Sequence, residues 1–331
     1  MKNQSITEAM LQFIEESPTA FHAAANVEAL LLENGFEKLE NLAEGALVPG
    51  GSYYTMQNGS AVLAVKIPEN PAKGFRIAAS HSDSPCFKIK EVPEMKVENT
   101  YVKLNVEKYG GMILSPWLDR PLSVAGRVFV AGKDEKPEAK LVNLKKDLLI
   151  IPNVAIHFNR EINNGFAYNP QTDMAPLMGL DQELSIKKLC AEAAGVAEEE
   201  ILGSDLYVYN RDKGRIMGAD DSLIGSPRLD DLQCAYATLR GFLASKPEEF
   251  ISVYALFDNE EVGSGTKQGA DSTFLEEFLE IVLENVYPDK NRLWKRSFYQ
   301  NSFLLSADNG HAVHPNHPEK TDPTNRPYLN G

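Results

Sequence analysis

The periodicity of the apolar residues changes twice along this chain, and these changes limit the folds that it can adopt. Up to residue 92, helical patterns alternate with short apolar runs such as 75–79, which are typical of buried strands. Between 93 and 222, apolar and polar residues alternate with a period of two, the pattern of half-buried strands. From 223 the mixed helix and strand pattern returns. We therefore predict an α/β domain, formed by 1–92 and 223–331, that is interrupted by an inserted β-rich domain at 93–222.

The charge of the chain restricts its partners. The 331 residues include 33 Lys and Arg against 47 Asp and Glu, a formal net charge of −14. Binding to a nucleic-acid backbone depends on cationic side chains, so we expect no nucleic-acid partner. No apolar run approaches the roughly 20 residues that cross a bilayer, and the first residues lack the pattern of a signal peptide, so we expect no membrane partner. Three scattered cysteines fit a reducing compartment, and we expect a cytoplasmic protein.

Four clusters of polar residues lie where open α/β sheets place their functional sites. Three clusters directly follow predicted strands, and the fourth opens the helix that follows Pro227. In chain order, the clusters contain His81 and Asp83, then Asp230 and Asp231, then Glu260 and Glu261, and finally Asp308, His311 and His314. Taken singly, each cluster also fits a loop hydrogen bond, a solvated turn or an acid that complements a helix dipole.

Convergence of the clusters would require a cation. It would place four carboxylates in one pocket, those of Asp230, Glu260, Glu261 and Asp308. Such carboxylates repel one another strongly unless they are protonated or neutralised. A dinuclear metal site removes the conflict, because one carboxylate bridges the two ions and another acts as a base on a bound water. Imidazole and carboxylate ligands without a cysteine pair suit zinc or a similar divalent ion. In such a site Asp83 would orient the ring of His81.

The same segments are similar to those of a known family. The segments ASHSDSPC at 79–86, SPRLDDL at 226–232, FDNEEVGS at 257–264 and SADNGHAVHPN at 306–316 resemble, in this order, the aspartyl aminopeptidase family of zinc metallo-aminopeptidases. The segment IPNVAIH at 151–157 in the insertion resembles that family too. The resemblance implies a zinc-peptidase-like α/β/α sandwich with an inserted β-rich dimerisation domain. It also implies an enzyme that removes N-terminal residues, best known as acidic ones, from peptides.

The resemblance implies a metal ligand set. His81 and Asp308 would bind one zinc ion, Asp230 would bridge two ions, and Glu261 would bind the second. The peptide bond after Asp230 would be cis. The chain departs from the family at Asp231, where members usually carry asparagine, and this substitution adds a negative charge beside the bridging ligand.

The resemblance also implies catalytic and assembly roles. Glu260 would be the general base that takes a proton from water and passes it to the leaving amine, and Asp83 would orient His81. His157, on the insertion, would reach the active site of a neighbouring subunit. The family's usual assembly is a homo-oligomer, a dodecamer built from dimers.

Two alternatives stay open at this stage. Family members continue beyond the point where this sequence ends, and that part would supply the last histidine ligand of the second zinc ion. The first alternative is therefore a non-catalytic oligomeric or peptide-binding protein of the same fold. The second is a related di-zinc peptidase such as a carboxypeptidase, which the match of the insertion disfavours.

Overall fold

The computed structural model describes residues 5–40, 47–132 and 136–329. Its helices are α1 (Ile6–Glu16), α2 (Ala20–Glu33), α3 (Ile186–Ala194), α4 (Leu229–Ala244), α5 (Phe274–Val286) and α6 (Arg292–Gln300). Its strands are β1 (Glu37–Lys38), β2 (Ser52–Gln57), β3 (Ala61–Lys66), β4 (Phe75–His81), β5 (Cys86–Val97), β6 (Tyr101–Tyr109), β7 (Leu122–Ala131), β8 (Pro137–Asn143), β9 (Leu177–Gly179), β10 (Ile201–Asn210), β11 (Arg215–Met217), β12 (Leu223–Gly225), β13 (Ile251–Phe257) and β14 (Phe303–Ser306). None of the helices in these ranges is long and apolar enough to span a membrane.

The first sheet forms the middle layer of an α/β/α sandwich, as predicted. Its strand order is β1-β2-β3-β13-β4-β14, and β4 runs parallel to both β13 and β14. Alternate side chains of β3 are buried on opposite faces: Leu63 packs with residues of α5 and α6, while Val62 packs with residues of α1, α2 and α4. Because both faces are covered by helices, β3 and β13 are apolar along nearly their whole length.

The second sheet is antiparallel and has the order β8-β7-β10-β5-β6-β9. Its own apolar core includes Phe87, Leu104, Val124 and Val208, and α3 packs against it. The first strand of this sheet begins at Cys86, which lies before the predicted domain boundary at 93. The short hairpin of β11 and β12 leads the chain back to α4.

The helix α2 begins at Ala20, and Thr19 is its N-cap residue. The hydroxyl of Thr19 shares a 2.8 Å hydrogen bond with Nδ1 of His22. Burial, with a smaller contribution from the charge of Lys145, lowers the pKa of His22 to about 4. The imidazole is therefore neutral in the folded chain at neutral pH.

Acidification is expected to destabilise the fold through His22. The pKa of His22 is lower in the folded chain than in the unfolded chain, so the unfolded chain binds a proton first as the pH falls. The fold is therefore most stable, as far as His22 is concerned, above about pH 6.5, and it loses stability as the pH falls towards 4. For this group we expect a loss of about 2 kcal/mol in the free energy of unfolding between about pH 7 and about pH 5. Urea unfolding of wild type and His22→Gln at both pH values measures this loss. The loss should be smaller in the variant, because glutamine does not titrate. Equal losses in the two proteins would contradict the prediction.

Candidate metal centre

The ends of three parallel strands bring the predicted clusters together. His81 is the last residue of β4 and is paired in register with Phe257, the last residue of β13. Asp308 follows β14, whose Ser306 lies beside Ala79 of β4. Asp230 lies in the irregular first turn of α4, a helix that packs on β4. Members of the predicted clusters, though not His311 and His314, therefore meet where the parallel strands of the first sheet end, the place where open α/β sheets form their sites.

An imidazole nitrogen and several carboxylates face one space. One ligand atom from each of four residues lies within 4.8 Å of the others, and these residues are His81, Asp230, Asp231 and Asp308. Nε2 of His81 is 3.4 Å from Oδ1 of Asp230, 3.8 Å from Oδ1 of Asp308 and 4.0 Å from Oε2 of Glu260. His81 is buried, whereas the side chains of Asp230 and Asp308 are about half exposed. This donor set of one imidazole with carboxylates fits a zinc ion.

Asp231 also belongs to the cluster, although it is not among the predicted ligands. Its side chain is fully buried, its Oδ2 accepts the backbone N–H of His81 at 3.1 Å, and its Oδ1 accepts from Nδ2 of Asn309 at 3.3 Å. Burial raises its pKa to about 6. Because both oxygens are engaged, Asp231 holds the ends of β4 and β14 together. The peptide bond between Asp230 and Asp231 is cis, as the resemblance implied.

Asp83 is the centre of a second hydrogen-bonded group behind His81. Nδ1 of His81 lies 3.3 Å from Oδ1 of Asp83 and 3.1 Å from its backbone oxygen. The backbone N–H of Glu260 donates to Oδ1 of Asp83, and that of Glu261 donates to Oδ2, each at 3.2 Å. One buried carboxylate therefore contacts both the imidazole and the turn that carries the two glutamates. This geometry supports the predicted orienting role of Asp83.

The electrostatics of the centre reflect crowded carboxylates. Burial, reinforced by the charges of Asp83 and Asp230, raises the pKa of Glu261 to about 7. Burial and the nearby Asp308 also raise the pKa of Asp230, against the opposing charge of His81. At His81, burial opposes the charged form, but Asp83 and the other carboxylates outweigh it and raise the pKa to about 9. Crowded carboxylates with raised pKa values are typical of a site that binds a cation.

Two polar residues whose roles were not predicted from the sequence, Tyr109 and Asn259, form a hydrogen-bonded chain that ends on Asp83. The hydroxyl of Tyr109, the last residue of β6, donates to Oδ2 of Asp83 at 2.7 Å. The hydroxyl oxygen of Tyr109 in turn accepts from Nδ2 of Asn259 at 2.9 Å. Burial and the charge of Asp83 raise the pKa of Tyr109 far above its ordinary value, so the hydroxyl remains a donor. No local pattern marks Tyr109, because it lies far along the chain from every cluster.

Other histidines lie apart from the cluster in the described part of the chain. His157 is exposed on a turn of the segment between β8 and β9 and has no hydrogen bond or ion pair with the cluster. His311 follows Asp308 but is exposed. His314 packs its ring against that of His317, 5.3 Å away. Within 5–40, 47–132 and 136–329, the centre therefore has a single histidine, His81.

Together, an α/β/α sandwich and a histidine–carboxylate cluster at the ends of its parallel strands define a metallohydrolase-like site. A family model described as aminopeptidase I zinc metalloprotease (M18) matches residues 13–331. The chain therefore belongs to the M18 aminopeptidase family, whose members are zinc metalloproteases.

Individual relatives agree with this assignment. The probable M18 family aminopeptidase 2 of Clostridium acetobutylicum is 44% identical over 339 residues, covering 100% of this chain and 78% of that protein. A chain in the cryo-EM structure of the Ape4 and Nbr1 complex superposes with a TM-score of 0.91 at 32% identity, over 97% of this chain and 66% of that one. The mApe1 dodecamer of S. cerevisiae gives a TM-score of 0.85 at 26% identity, over 98% of this chain and 76% of that one.

Proposed function

We propose that this chain is a di-zinc aminopeptidase that hydrolyses the first peptide bond of short peptides. The observation that carries the proposal is the convergence of His81, Asp230 and Asp308 with Glu260 at the ends of the parallel strands. Membership in the M18 family supports the same chemistry. Exposed acidic residues alone would not support this chemistry, but here several carboxylates surround the buried imidazole of His81, which Asp83 orients.

The proposed ligands divide between two zinc ions per subunit. His81 and Asp308 would hold one ion, Glu261 would hold the other, and Asp230, whose Oδ1 lies 3.4 Å from Nε2 of His81, would bridge them. When bound, zinc supplies a Lewis acid and lowers the pKa of water to near neutrality. The protein's own part is to fix these side chains, which Asp83 and Asp231 do from behind.

Glu260 is the general base in this proposal. Its side chain is half exposed, its Oε2 points to within 4.0 Å of Nε2 of His81, and its backbone N–H is held by Asp83. In the reaction, Glu260 takes a proton from the attacking water and delivers it to the amine that leaves when the peptide bond breaks. A side chain open to solvent on one side and fixed at its backbone suits such a transfer.

We further propose that the substrates carry an acidic N-terminal residue and that the enzyme works in the cytoplasm as a homo-oligomer. The resemblance of the four motifs to aspartyl aminopeptidases supports the specificity. The dodecameric yeast relative supports assembly. The inserted region 93–222 would form dimer contacts, and its loop around His157 exposes apolar neighbours, including Phe158 at 87%. In an oligomer, His157 would reach the active site of a neighbouring subunit.

Zinc removal and return test the proposal. Purified protein should contain two zinc ions, lose peptidase activity when a chelator removes them, and recover activity when zinc is added. Hydrolysis of an N-terminal aspartyl anilide should exceed that of the leucyl analogue. A single weakly held ion without turnover would instead support a non-catalytic peptide-binding protein. Release of C-terminal residues would support the carboxypeptidase alternative.

A further inference from the structure

We propose that Tyr109 and Gly110, at the end of β6 in the second sheet, position the glutamate pair of the metal centre. The inference rests on the proposed function of Glu260 and Glu261. The second sheet contributes none of the proposed metal ligands, but in this proposal one of its strands holds Glu260 and Glu261 in position. Neither residue is expected to touch the substrate, so both are positioning residues.

The first contact runs through Asp83. The hydroxyl of Tyr109 donates to Oδ2 of Asp83 at 2.7 Å, the shortest hydrogen bond that this carboxylate makes. The same Oδ2 accepts the backbone N–H of Glu261, while Oδ1 accepts that of Glu260. With all three donors in place, the carboxylate cannot rotate without breaking a bond to one of the glutamates. Tyr109 thus fixes the carboxylate of Asp83, which in turn holds the turn that carries Glu260 and Glu261.

The second contact reaches the same turn from the other side. Asn259 directly precedes Glu260 and adopts a left-handed conformation with a φ of 64°. Its Nδ2 donates to the Tyr109 oxygen, and its Oδ1 accepts from Thr266 and Gln268. The Tyr109 hydroxyl therefore joins the residue before Glu260 to the carboxylate that holds both glutamate N–H groups.

The third contact is steric and involves Gly110. A Cβ atom at this position would lie 3.0 Å from Cβ of Glu261 and 3.2 Å from its Oε2. Gly110 also has a φ of 76°, which favours glycine. The backbone of the second sheet therefore lies directly against the side chain that is proposed to hold the second zinc ion. Any larger residue here would push Glu261 aside.

The ring of Tyr109 is itself anchored within the second sheet. It meets the ring of Tyr207, on β10, edge to face with centroids 5.6 Å apart. The position of the hydroxyl is thus set by strands of the second sheet, whereas its acceptor lies after β4 of the first. A movement of one sheet relative to the other would therefore displace the turn that carries Glu260 and Glu261.

Tyr109→Phe tests the hydrogen bond, with Tyr101→Phe at the exposed start of the same strand as its control. Loss of a group that supports metal ligands typically weakens metal binding by about 10-fold or more. We expect the zinc Kd of Tyr109→Phe, measured by competition with a chelating dye, to rise about 10-fold, and kcat to fall with KM unchanged. Thermal unfolding should show that both variants are folded at the assay temperature. A zinc Kd and a kcat within about twofold of the control would overturn the role of Tyr109.

Gly110→Ala tests the steric contact, and Gly111→Ala is its control because a Cβ at Gly111 meets no atom within 4 Å. We expect the second zinc ion to bind about 10-fold more weakly in Gly110→Ala and unchanged in Gly111→Ala. Glu260→Gln, tested in parallel, separates the two hypotheses. A fully active Glu260→Gln protein overturns the proposed function, whereas an inactive Glu260→Gln with unaltered Tyr109→Phe and Gly110→Ala overturns only the positioning role.

Discussion

Replacing Glu260 by glutamine is expected to lower kcat by roughly 10²- to 10⁴-fold, the range over which a general acid–base group acts. Glutamine has the same shape but accepts no proton from water at neutral pH. The backbone hydrogen bond to Asp83 does not depend on the side chain and should persist. Glu260 is not among the proposed zinc ligands, so the zinc content should match that of wild type. Initial rates on an aspartyl anilide and metal analysis of the same samples measure both quantities.

The matched control for this change is Glu276→Gln, at an exposed position on α5 that lies outside the cluster. It removes one negative charge without altering the centre, so its rate and its zinc content should equal those of wild type. Loss of zinc in Glu260→Gln would assign the residue to metal binding instead of proton transfer. Normal turnover by Glu260→Gln would reject the assigned role altogether.

The candidate centre is predictable from sequence to the extent that sheet geometry places it. His81 and Asp308 follow apolar runs that become β4 and β14, and parallel strands deliver their ends to one edge. Three apolar runs, each followed by polar residues, therefore indicated candidate residues without any knowledge of strand order, whereas the convergence of these residues was stated only as a condition. The long spacing between clusters did not matter, because the sheet and not the chain sets the distances.

Other features were not predicted, for two different physical reasons. The starts of α1 and β5 have local signals in the sequence that were not used. Helix α1 begins with a capping box between Ser5 and Glu8, and β5 begins with Phe87 and Ile89 alternating with lysines. The contact of Tyr109 with Asp83 has no local signal at all. It depends on how the end of β6 lies against the residues that follow β4, which neither periodicity nor spacing encodes.

Replacing Asp230 by asparagine is expected to weaken zinc binding by at least about 100-fold, more than the loss of a supporting group costs. Asp230 is the proposed bridging ligand and lies 3.4 Å from Nε2 of His81. The substitution should at the same time stabilise the metal-free protein. Burial and Asp308 raise the pKa of Asp230, so its charge is unfavourable in the fold, although its half exposure keeps the gain small.

Unfolding with and without zinc therefore separates a metal ligand from a structural aspartate. At a zinc concentration of about 100 times the wild-type Kd, each zinc site adds about 2.7 kcal/mol to the free energy of unfolding of wild type. At that concentration a Kd about 100-fold weaker leaves Asp230→Asn only about 0.4 kcal/mol. Asp221→Asn, which removes an exposed charge outside the cluster, should behave as wild type in both conditions. A structural role predicts the opposite pattern, with the metal-free variant less stable than wild type and the stabilisation by zinc unchanged. Only a metal ligand lowers the stability of the metal-free protein while it strengthens zinc binding.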